Sequence, residues 1–295
     1  MGLCPSKDMA IGLVMFNPAK SKKLIENYYE MIQQFEKYSL PFFTLELVYE
    51  DRSPEIPEAY HISGKSVMFH KENLCRILET MIPRKFTKLA FLDADIIFDD
   101  QEWYWKLSKA LDSYDVVQPF ETCFWLDEDK KIMLERESVL KLKSNLWDSR
   151  YHPGFAWGFR REWYNKIGFF DYAVTGSGDT LSVIKWLDKH VSPKFQSLPV
   201  PLLRKYNTFC PPEDRPLISF LPGSLRHLYH GSRENRQYTE RHKILNLQED
   251  IMDLVFVNSR GLLEWNAEYQ ELSKKMLEYF ISRNDDDLPA LIETS

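Results

Sequence analysis

The first half of the sequence predicts an α/β fold with a Rossmann-like, mainly parallel sheet. Short apolar runs, typical of buried strands, alternate there with segments in which apolar residues recur at helical spacing. Strands that alternate with helices imply parallel pairing, with helices on both faces of the sheet. At 295 residues, of which 44% are hydrophobic and 14% aromatic, the chain can bury the large core that such a fold needs.

The predicted elements follow one another along residues 10–121. The strands are AIGLVMF (10–16), FFTLELVYE (42–50), KLAFLD (88–93) and DVVQPFE (115–121). The helices are residues 20–38, a helix that begins near Lys71 and stops at Pro83, and residues 101–113. The segment DRSPEIPEAYHISG (51–64) is predicted to be a loop, because its prolines and glycine disfavour regular structure.

An Asp-Ala-Asp motif lies at the carboxyl end of the third predicted strand, in KLAFLDADIIF. Ligands of open α/β sheets bind outside the carboxyl ends of the strands. Asp93 and Asp95 repel each other unless a cation lies between them, and hard divalent cations prefer oxygen ligands. Ordinary turn aspartates are the structural alternative. The apolar residues on both sides of the motif favour a metal site.

The second half begins less regularly and contains the segment TGSGDT. A short helix, REWYNKIG (161–168), is followed by a second helix that opens at GSGD. Asp179 lies in the first turn of that second helix, where an aspartate stabilises free amide groups. A general base directed into a cleft is the functional interpretation. Capping explains the aspartate but not the flanking glycines, so both interpretations stay open.

A basic cluster occupies the segment RHLYHGSRENRQYTERHKIL (226–245). His230 ends a predicted strand, and Arg233, Arg236 and Arg241 follow it within a short distance along the chain. The structural alternative is a charged helix start that lies in solvent and binds nothing. The planar donors of arginine match phosphate oxygens, so the cluster indicates that a diphosphate could be held between arginines and a metal.

The C-terminal part predicts packing helices and a tail. Apolar stripes of two predicted helices indicate packing rather than function. The first stripe is Ile244, Leu247, Ile251 and Leu254, and the second is Trp265, Tyr269, Leu272, Met276 and Phe280. We expect one domain over residues 1–283, with a nucleotide-binding half (8–120), an acceptor and catalytic half (121–245) and C-terminal helices (246–283), followed by a flexible acidic tail (284–295).

Composition excludes several function classes. A net charge of −6 provides no overall basic field for a nucleic-acid backbone, so nucleic acid is not an expected partner. The sequence contains no apolar run of membrane-span length, and its N-terminus does not resemble a signal peptide. Four widely spaced cysteines, Cys4, Cys75, Cys123 and Cys210, form no zinc motif and predict no disulfide framework. We expect a soluble protein of a reducing cytoplasm.

Together the motifs resemble the GT-A glycosyltransferases, and in particular the nucleotide-sugar-dependent enzymes of phages and large DNA viruses such as the chloroviruses. The resemblance extends over most of residues 8–283 and depends on four motifs in one order: KENLCR, DADIIF, GSGD and HGSRENRQYTERH. The cysteine and arginine of KENLCR depart from the family's KExLLN-like pattern. The GT-A fold that the resemblance implies is a mixed, mainly parallel sheet flanked by helices, with C-terminal helices.

The resemblance implies a role for each matching position. Asp95 would bind a divalent metal (Mn²⁺ or Mg²⁺), Asp93 would bind the metal or the donor ribose, and His230 would be a further metal ligand. Asp179 would be the catalytic base. The remaining positions would bind the donor: Phe16, Asn17, Glu50, Asp51, Lys71 and Asn73 around the nucleoside, and Arg233 and Arg236 at the diphosphate.

The chemistry implied is transfer from a nucleoside-diphosphate sugar to a glycan hydroxyl, with inversion, because one base and no enzymic nucleophile are present. A UDP-sugar is the first donor to consider, with UDP-xylose as a candidate. A glycan or glycoprotein is the expected acceptor, as in viral capsid glycoprotein synthesis in the host cytoplasm. His152, Phe155 and Trp157 could form an acceptor platform, although a core role for these residues carries equal weight.

Three other functions compete with this interpretation. A haloacid-dehalogenase-type phosphohydrolase also has Asp-x-Asp after a strand, but it prefers threonine or valine where this chain has Ile97, and its motif usually lies near the N-terminus. A sugar nucleotidyltransferase needs a glycine-rich N-terminal loop, which MFNPAK does not provide. A non-catalytic carbohydrate-binding protein remains an open alternative.

Overall fold

A seven-stranded mixed sheet forms the centre of the computed structural model, which describes residues 7–146, 148, 150–190 and 199–288. Its strands are β1 (Met9–Phe16), β2 (Phe42–Tyr49), β3 (Tyr60–Gly64), β4 (Lys88–Leu92), β6 (Val116–Gln118), β10 (Ala156–Arg160) and β11 (Ile218–Phe220). The strand order is β11-β6-β10-β4-β1-β2-β3. All neighbours pair in parallel except β10, which is antiparallel to both β4 and β6.

A second sheet and a hairpin complete the strands. The second sheet contains β5 (Ile96–Phe98), β7 (Thr122–Leu126), β8 (Ile132–Ser138), β9 (Tyr151–His152) and β12 (Ser224–His227), and the hairpin pairs β13 (Val255–Val257) with β14 (Leu263–Trp265). The strand order of the second sheet is β5-β12-β7-β8-β9. The short loop with Asp93 and Asp95 connects β4 of the main sheet to β5 of the second sheet, so this motif lies where the two sheets meet.

Helices cover the main sheet. They are α1 (Lys22–Lys37), α2 (Lys71–Met81), α3 (Trp103–Ala110), α4 (Arg161–Lys166), α5 (Gly178–Trp186), α6 (Val200–Asn207), α7 (Ile251–Leu254) and α8 (Gln270–Ser282). Side chains of β1 alternate between two buried clusters: Ile11 and Leu13 pack with Met31 of α1, whereas Ala10 packs with Leu74 of α2. The main sheet therefore has a core on each face. The predicted α/β class, with a mainly parallel sheet between helices, is confirmed.

Local sequence explains why these elements form. The side chain of Ser21 caps α1 by accepting a hydrogen bond from the Leu24 amide. Strand β4 is fully buried, in keeping with the apolar run of residues 89–92 that follows Lys88. Helix α2 ends before Pro83, as predicted, because proline cannot continue the helical hydrogen bonds.

Four predictions of secondary structure are wrong. Strand β12 ends at His227, three residues before His230, which was expected to end it. Residues 60–64 form β3 instead of a loop, because Ile62 is buried and β2 provides a partner for the whole segment. The apolar stripe of residues 244–254 is divided between a 3₁₀ helix (Glu240–Leu245) and α7. Trp265 lies in β14 rather than in the last helix, which begins at Gln270.

The described residues contain no helix that is both long and apolar enough to cross a membrane. Cys75, Cys123 and Cys210 are buried free thiols, and Cys4 lies outside the described residues.

Candidate active site

A cavity of about 500 Å³ opens at the carboxyl ends of β1 and β4, between the main sheet and the second sheet. Its volume lies within the range of small-molecule sites. Most residues that the sequence singled out line it. They are Phe16, Asn17, Lys71, Asp93, Asp95, His152, Phe155, Asp179, His230, Arg233, Arg236 and Arg241.

One carboxylate and two imidazoles converge at one side of the cavity. The Oδ2 atom of Asp95 lies 2.9 Å from His230 Nε2 and 3.5 Å from His227 Nε2, and the two Nε2 atoms are 3.1 Å apart. Asp95 Oδ1 is buried and has no hydrogen-bond partner among the described residues. Such a convergence of acceptor atoms is unfavourable without a shared proton or cation, so Asp95, His227 and His230, which we call the metal-type group, fit a divalent metal ion.

The structure separates the two aspartates of the Asp-Ala-Asp motif. Asp93, which the resemblance offers as a metal ligand, is not part of the convergent group and instead forms an ion pair with Lys71. Asp93, Asp179 and Glu72 outweigh the effect of burial on Lys71 and raise its pKa. The pKa of Asp95 is lowered well below its usual value, because His227 and His230 outweigh the opposing effect of burial.

Residues beyond α8 hold His230 in place. His230 Nδ1 lies 3.3 Å from Asp285 Oδ1, and Arg283 Nη2 donates to the same oxygen at 3.1 Å. Asp285 is buried, and its pKa falls to about 2 because contacts with His230, Arg283 and Arg236 outweigh burial. Residues 284–288 of the expected tail therefore include a buried side chain, that of Asp285, which contacts the candidate site. Residues 289–295 lie outside the described residues.

Asp179 lies in the first turn of α5 and faces the same cavity. A Cβ atom on Gly154 would overlap Asp179 Oδ2 and would lie 3.2 Å from His152 Nε2, so Gly154 leaves room for both groups. Asp179 Oδ1 accepts a hydrogen bond from the Thr180 amide at 2.6 Å. Oδ2 faces the Gly154 side, so Asp179 keeps one oxygen for another partner.

Glu72 is a buried carboxyl group that lines the cavity near Asp179, and sequence reasoning missed it. A Cβ atom on Gly178 would overlap its carboxylate, which places Glu72 against the start of α5. Burial raises the pKa of Glu72 to about 7. Asp179 adds to this effect, whereas Lys71 opposes it.

Aromatic and basic residues form one end of the cavity. The rings of Phe16, Phe69 and Phe280 pack together with centroids 4.9 to 6.2 Å apart. Arg241 lies over the Phe69 ring at 4.7 Å and donates to Ser177 Oγ at 3.0 Å. This end combines an apolar surface with guanidinium groups, which suits a nucleoside and its phosphates.

Two backbone positions of the cavity are strained. Phe155 and Ser177 have φ angles of 72° and 70°, in the left-handed region that non-glycine residues rarely adopt. Strained positions cluster at functional sites. Phe155 also stacks on His227, with ring centroids 4.9 Å apart, so it packs against a residue of the metal-type group.

Four of the singled-out residues lie elsewhere. Trp157 is buried in the core and donates from its ring nitrogen to the Pro153 carbonyl, which favours the core alternative over an acceptor platform. Asn73 donates to Gly261 O and accepts from the Leu263 amide on the far side of α2. Glu50 and Asp51 are exposed at the end of β2 and do not line the cavity.

His227 and Asp285 are the important residues that sequence reasoning missed. His227 stands three residues before His230 in RHLYH, a spacing that offered a signal for a histidine pair. Asp285 lies in the run NDDD, which looks like a solvated tail.

Comparisons with known proteins give only distant likenesses. No protein-family model matches the sequence, and no match is found among curated proteins. Among solved structures, the chain is similar to the catalytic domain of Drosophila β1,4-galactosyltransferase 7 in complex with xylobiose. The identity is 12% and the TM-score 0.38, over 62% of this chain and 63% of that domain. The chain thus spans less than two thirds of that relative.

Two further structures are similar at the same level. Glucosyl-3-phosphoglycerate synthase from Mycobacterium tuberculosis, in complex with Mn²⁺, UDP and phosphoglyceric acid, is 11% identical with a TM-score of 0.40, over 80% of this chain and 76% of that chain. The 4-diphosphocytidyl-2C-methyl-D-erythritol synthase from Anaerococcus prevotii is 9% identical with a TM-score of 0.37, over 73% of this chain and 88% of that chain. These values are too low to assign a family.

Proposed function

We propose that this protein is a metal-dependent GT-A glycosyltransferase that moves a sugar from a nucleoside diphosphate to a hydroxyl group. The observation that supports this proposal best is that one cavity holds both the convergent group of Asp95, His227 and His230 and the separate carboxylate of Asp179. A transferase needs one positive centre for the leaving diphosphate and one base for the acceptor, and these groups can fill both roles.

Asp95, His227 and His230 would hold the metal ion. When bound, the ion would neutralise the negative charge of the departing diphosphate. Two imidazole ligands favour Mn²⁺ over Mg²⁺, because Mg²⁺ prefers oxygen ligands and retains much of its water.

The chain's own cations would bind the donor. Arg236 packs against His230 and donates to its carbonyl at 2.7 Å, so its charge lies beside the metal-type group. Arg241 and the rings of Phe16 and Phe69 occupy the end of the cavity that suits the nucleoside. We assign Arg236 and Arg241 to the phosphates. Arg233, which the resemblance places there together with Arg236, instead lies over the Trp125 ring on the wall that the second sheet forms. Burial raises the pKa of Asp93 to about 6 and Lys71 opposes this rise, so Asp93 is ionised at neutral pH and can accept hydrogen bonds from the donor ribose or sugar hydroxyls.

Asp179 would accept the proton of the attacking hydroxyl. Its Oδ2 atom faces the gap that Gly154 leaves free, next to His152. A single base without a nucleophilic partner leads to inversion at the anomeric carbon. A UDP-sugar is the first donor to test, with UDP-xylose among the candidates, and a glycan such as that of a viral capsid glycoprotein is the first acceptor.

The test is a screen of UDP-, GDP- and dTDP-sugars for nucleotide release in the presence of Mn²⁺. Asp95→Asn and Asp179→Asn should each abolish turnover of the donor that the wild type uses. Glu50→Gln, which changes an exposed carboxylate outside the cavity, is the matched control and should retain full activity. If the wild type releases no nucleotide from any donor, or if Asp179→Asn retains full activity, the proposed mechanism is wrong.

A further inference from the structure

Two arginines lie against one aromatic ring in the cavity wall that the second sheet forms. The guanidinium carbon of Arg136, on β8, is 5.5 Å from the centre of the Trp125 ring, and that of Arg233 is 6.0 Å from it. All three side chains line the cavity. The arrangement gives this wall an apolar surface with positive charge beside it.

Neither Arg136 nor Arg233 forms an ion pair or donates a side-chain hydrogen bond to any described residue. The other cavity arginines differ: Arg236 pairs with Asp285 at 3.6 Å, and Arg241 donates to Ser177. Burial and the nearby charge of Arg233 lower the pKa of Arg136, so an anion between the two guanidinium groups would relieve an unfavourable arrangement.

This wall leads from the arginines to the catalytic carboxylate. The ring of His152 meets the Trp125 ring edge-on with centroids 4.7 Å apart, and His152 Nε2 is buried without a hydrogen-bond partner among the described residues. Gly154 separates His152 Nε2 from Asp179 Oδ2. One molecule could therefore contact the base, the unpartnered His152 nitrogen, the Trp125 ring and the arginines in turn.

We propose that the acceptor carries an anionic group, a carboxylate or a phosphate, and that Arg136 and Arg233 bind this group. This inference rests on the proposed transferase function. The apolar face of the acceptor sugar packs on Trp125, and its reacting hydroxyl reaches Asp179. Guanidinium groups bind carboxylates and phosphates through paired, charge-assisted hydrogen bonds, so the arginines select an acidic acceptor over a neutral one.

Calorimetry on the full chain, saturated with Mn²⁺ and UDP, tests this inference. The binding of Mn²⁺ and UDP is measured first, so a failure of the proposed donor site is seen separately. The probes are then inorganic phosphate, methyl β-D-glucuronide and the neutral methyl β-D-glucoside. The anion that binds more tightly identifies the charged group of the acceptor.

We expect Arg136→Met and Arg233→Met each to weaken binding of the anionic probe by roughly tenfold or more, with little change for the neutral glucoside. Mn²⁺ and UDP affinity should stay as in the wild type. Arg226→Met is the matched control, because Arg226 lies on β12 of the same sheet and pairs with Asp99 outside the cavity.

Three results would overturn the inference. The first is equal affinity of the wild type for the uronide and the neutral glucoside, together with no binding of phosphate. The second is unchanged binding of the anionic probe in both arginine variants. The third is a tenfold loss of UDP affinity in Arg136→Met, which would assign the arginine pair to the donor diphosphate.

Discussion

The carboxylate of Asp285 lies 3.3 Å from Nδ1 of His230, while Nε2 of the same ring lies 2.9 Å from Asp95. With its proton on Nδ1, the His230 ring donates to Asp285 and presents Nε2 to a metal. Arg236 Nη2, which can only donate, lies 2.8 Å from Nδ1 and 3.0 Å from Nε2, so it has to move away from the ring when a metal binds. Gly231, with a φ angle of 78°, allows the close approach, since a Cβ atom there would lie 2.7 Å from Asn284 O. The segment after α8 is thus part of the candidate metal site.

Asp285→Asn should weaken Mn²⁺ binding by roughly tenfold or more. The substitution replaces the charged acceptor that orients the His230 ring with a neutral amide, which orients it less strongly. Calorimetry without nucleotide measures this effect directly.

The neighbouring variant Asp286→Ala is the control. Asp286 accepts from the Lys23 amide and from Ser21 at the start of α1, so its loss should reduce stability by about 1 kcal/mol and leave metal affinity unchanged. Equal Mn²⁺ affinity in Asp285→Asn and the wild type would contradict the role of Asp285.

Gly154→Ala should reduce turnover severely while the protein stays folded. The new methyl group would displace Asp179 Oδ2 and crowd His152, although the backbone φ at Gly154 is compatible with alanine. The informative measurement is turnover together with UDP affinity in the presence of Mn²⁺. If the glycine acts by leaving room for Asp179, turnover falls while UDP affinity stays as in the wild type. A parallel loss of UDP affinity would show that Gly154 acts by another route.

Glu72→Gln should stabilise the protein at high pH. The folded pKa of about 7 lies above the reference value of 4.5, so the folded state holds a proton that the unfolded state releases between these pH values. Wild-type stability therefore falls as the pH rises from 4.5 to 7, by up to about 3 kcal/mol. A glutamine side chain at this position would not titrate, so the stability difference between variant and wild type should grow between about pH 5 and pH 8 in denaturant unfolding. A difference that is the same at both pH values would contradict the burial of an ionisable Glu72.

The main sheet was predictable because its strands are continuous apolar runs bounded by polar turns. Strand β4 is buried throughout and apolar after Lys88, and β1 is apolar and nearly all buried. Strand β3 was not predictable in the same way, because YHISG has one buried apolar side chain and its strand conformation depends on pairing with β2. Local pattern cannot provide that long-range information.

The candidate site was predictable where a motif follows a strand or opens a helix. Asp95, Asp179 and His230 were all found in this way, and the structure brings them to one cavity. Asp285 could not be found, because only the tertiary structure shows that a carboxylate distant in sequence packs behind His230. The resemblance placed Asn73 at the nucleoside, and Trp157 was offered either as acceptor platform or as core; both side chains lie in packed regions.

Asn73→Ala should lower the stability by about 2 kcal/mol, because the variant leaves Gly261 O and the Leu263 amide without their partner. Its UDP affinity in the presence of Mn²⁺ should match the wild type at a temperature where the variant is folded. Thermal unfolding and calorimetry together check this prediction. A stable variant with reduced UDP affinity would support the nucleoside role that the sequence resemblance implies for Asn73.

The most direct test of a metal-dependent donor site is the titration of UDP into the protein with and without Mn²⁺, for the wild type, His227→Asn and Asp93→Asn. We predict that wild-type UDP binding depends on Mn²⁺ and that His227→Asn loses both Mn²⁺ and Mn²⁺-dependent UDP binding. Asp93→Asn should still bind Mn²⁺, because Asp93 contacts Lys71 and not the metal-type group. Tight UDP binding that is independent of Mn²⁺, or undiminished Mn²⁺ binding by His227→Asn, would contradict the account.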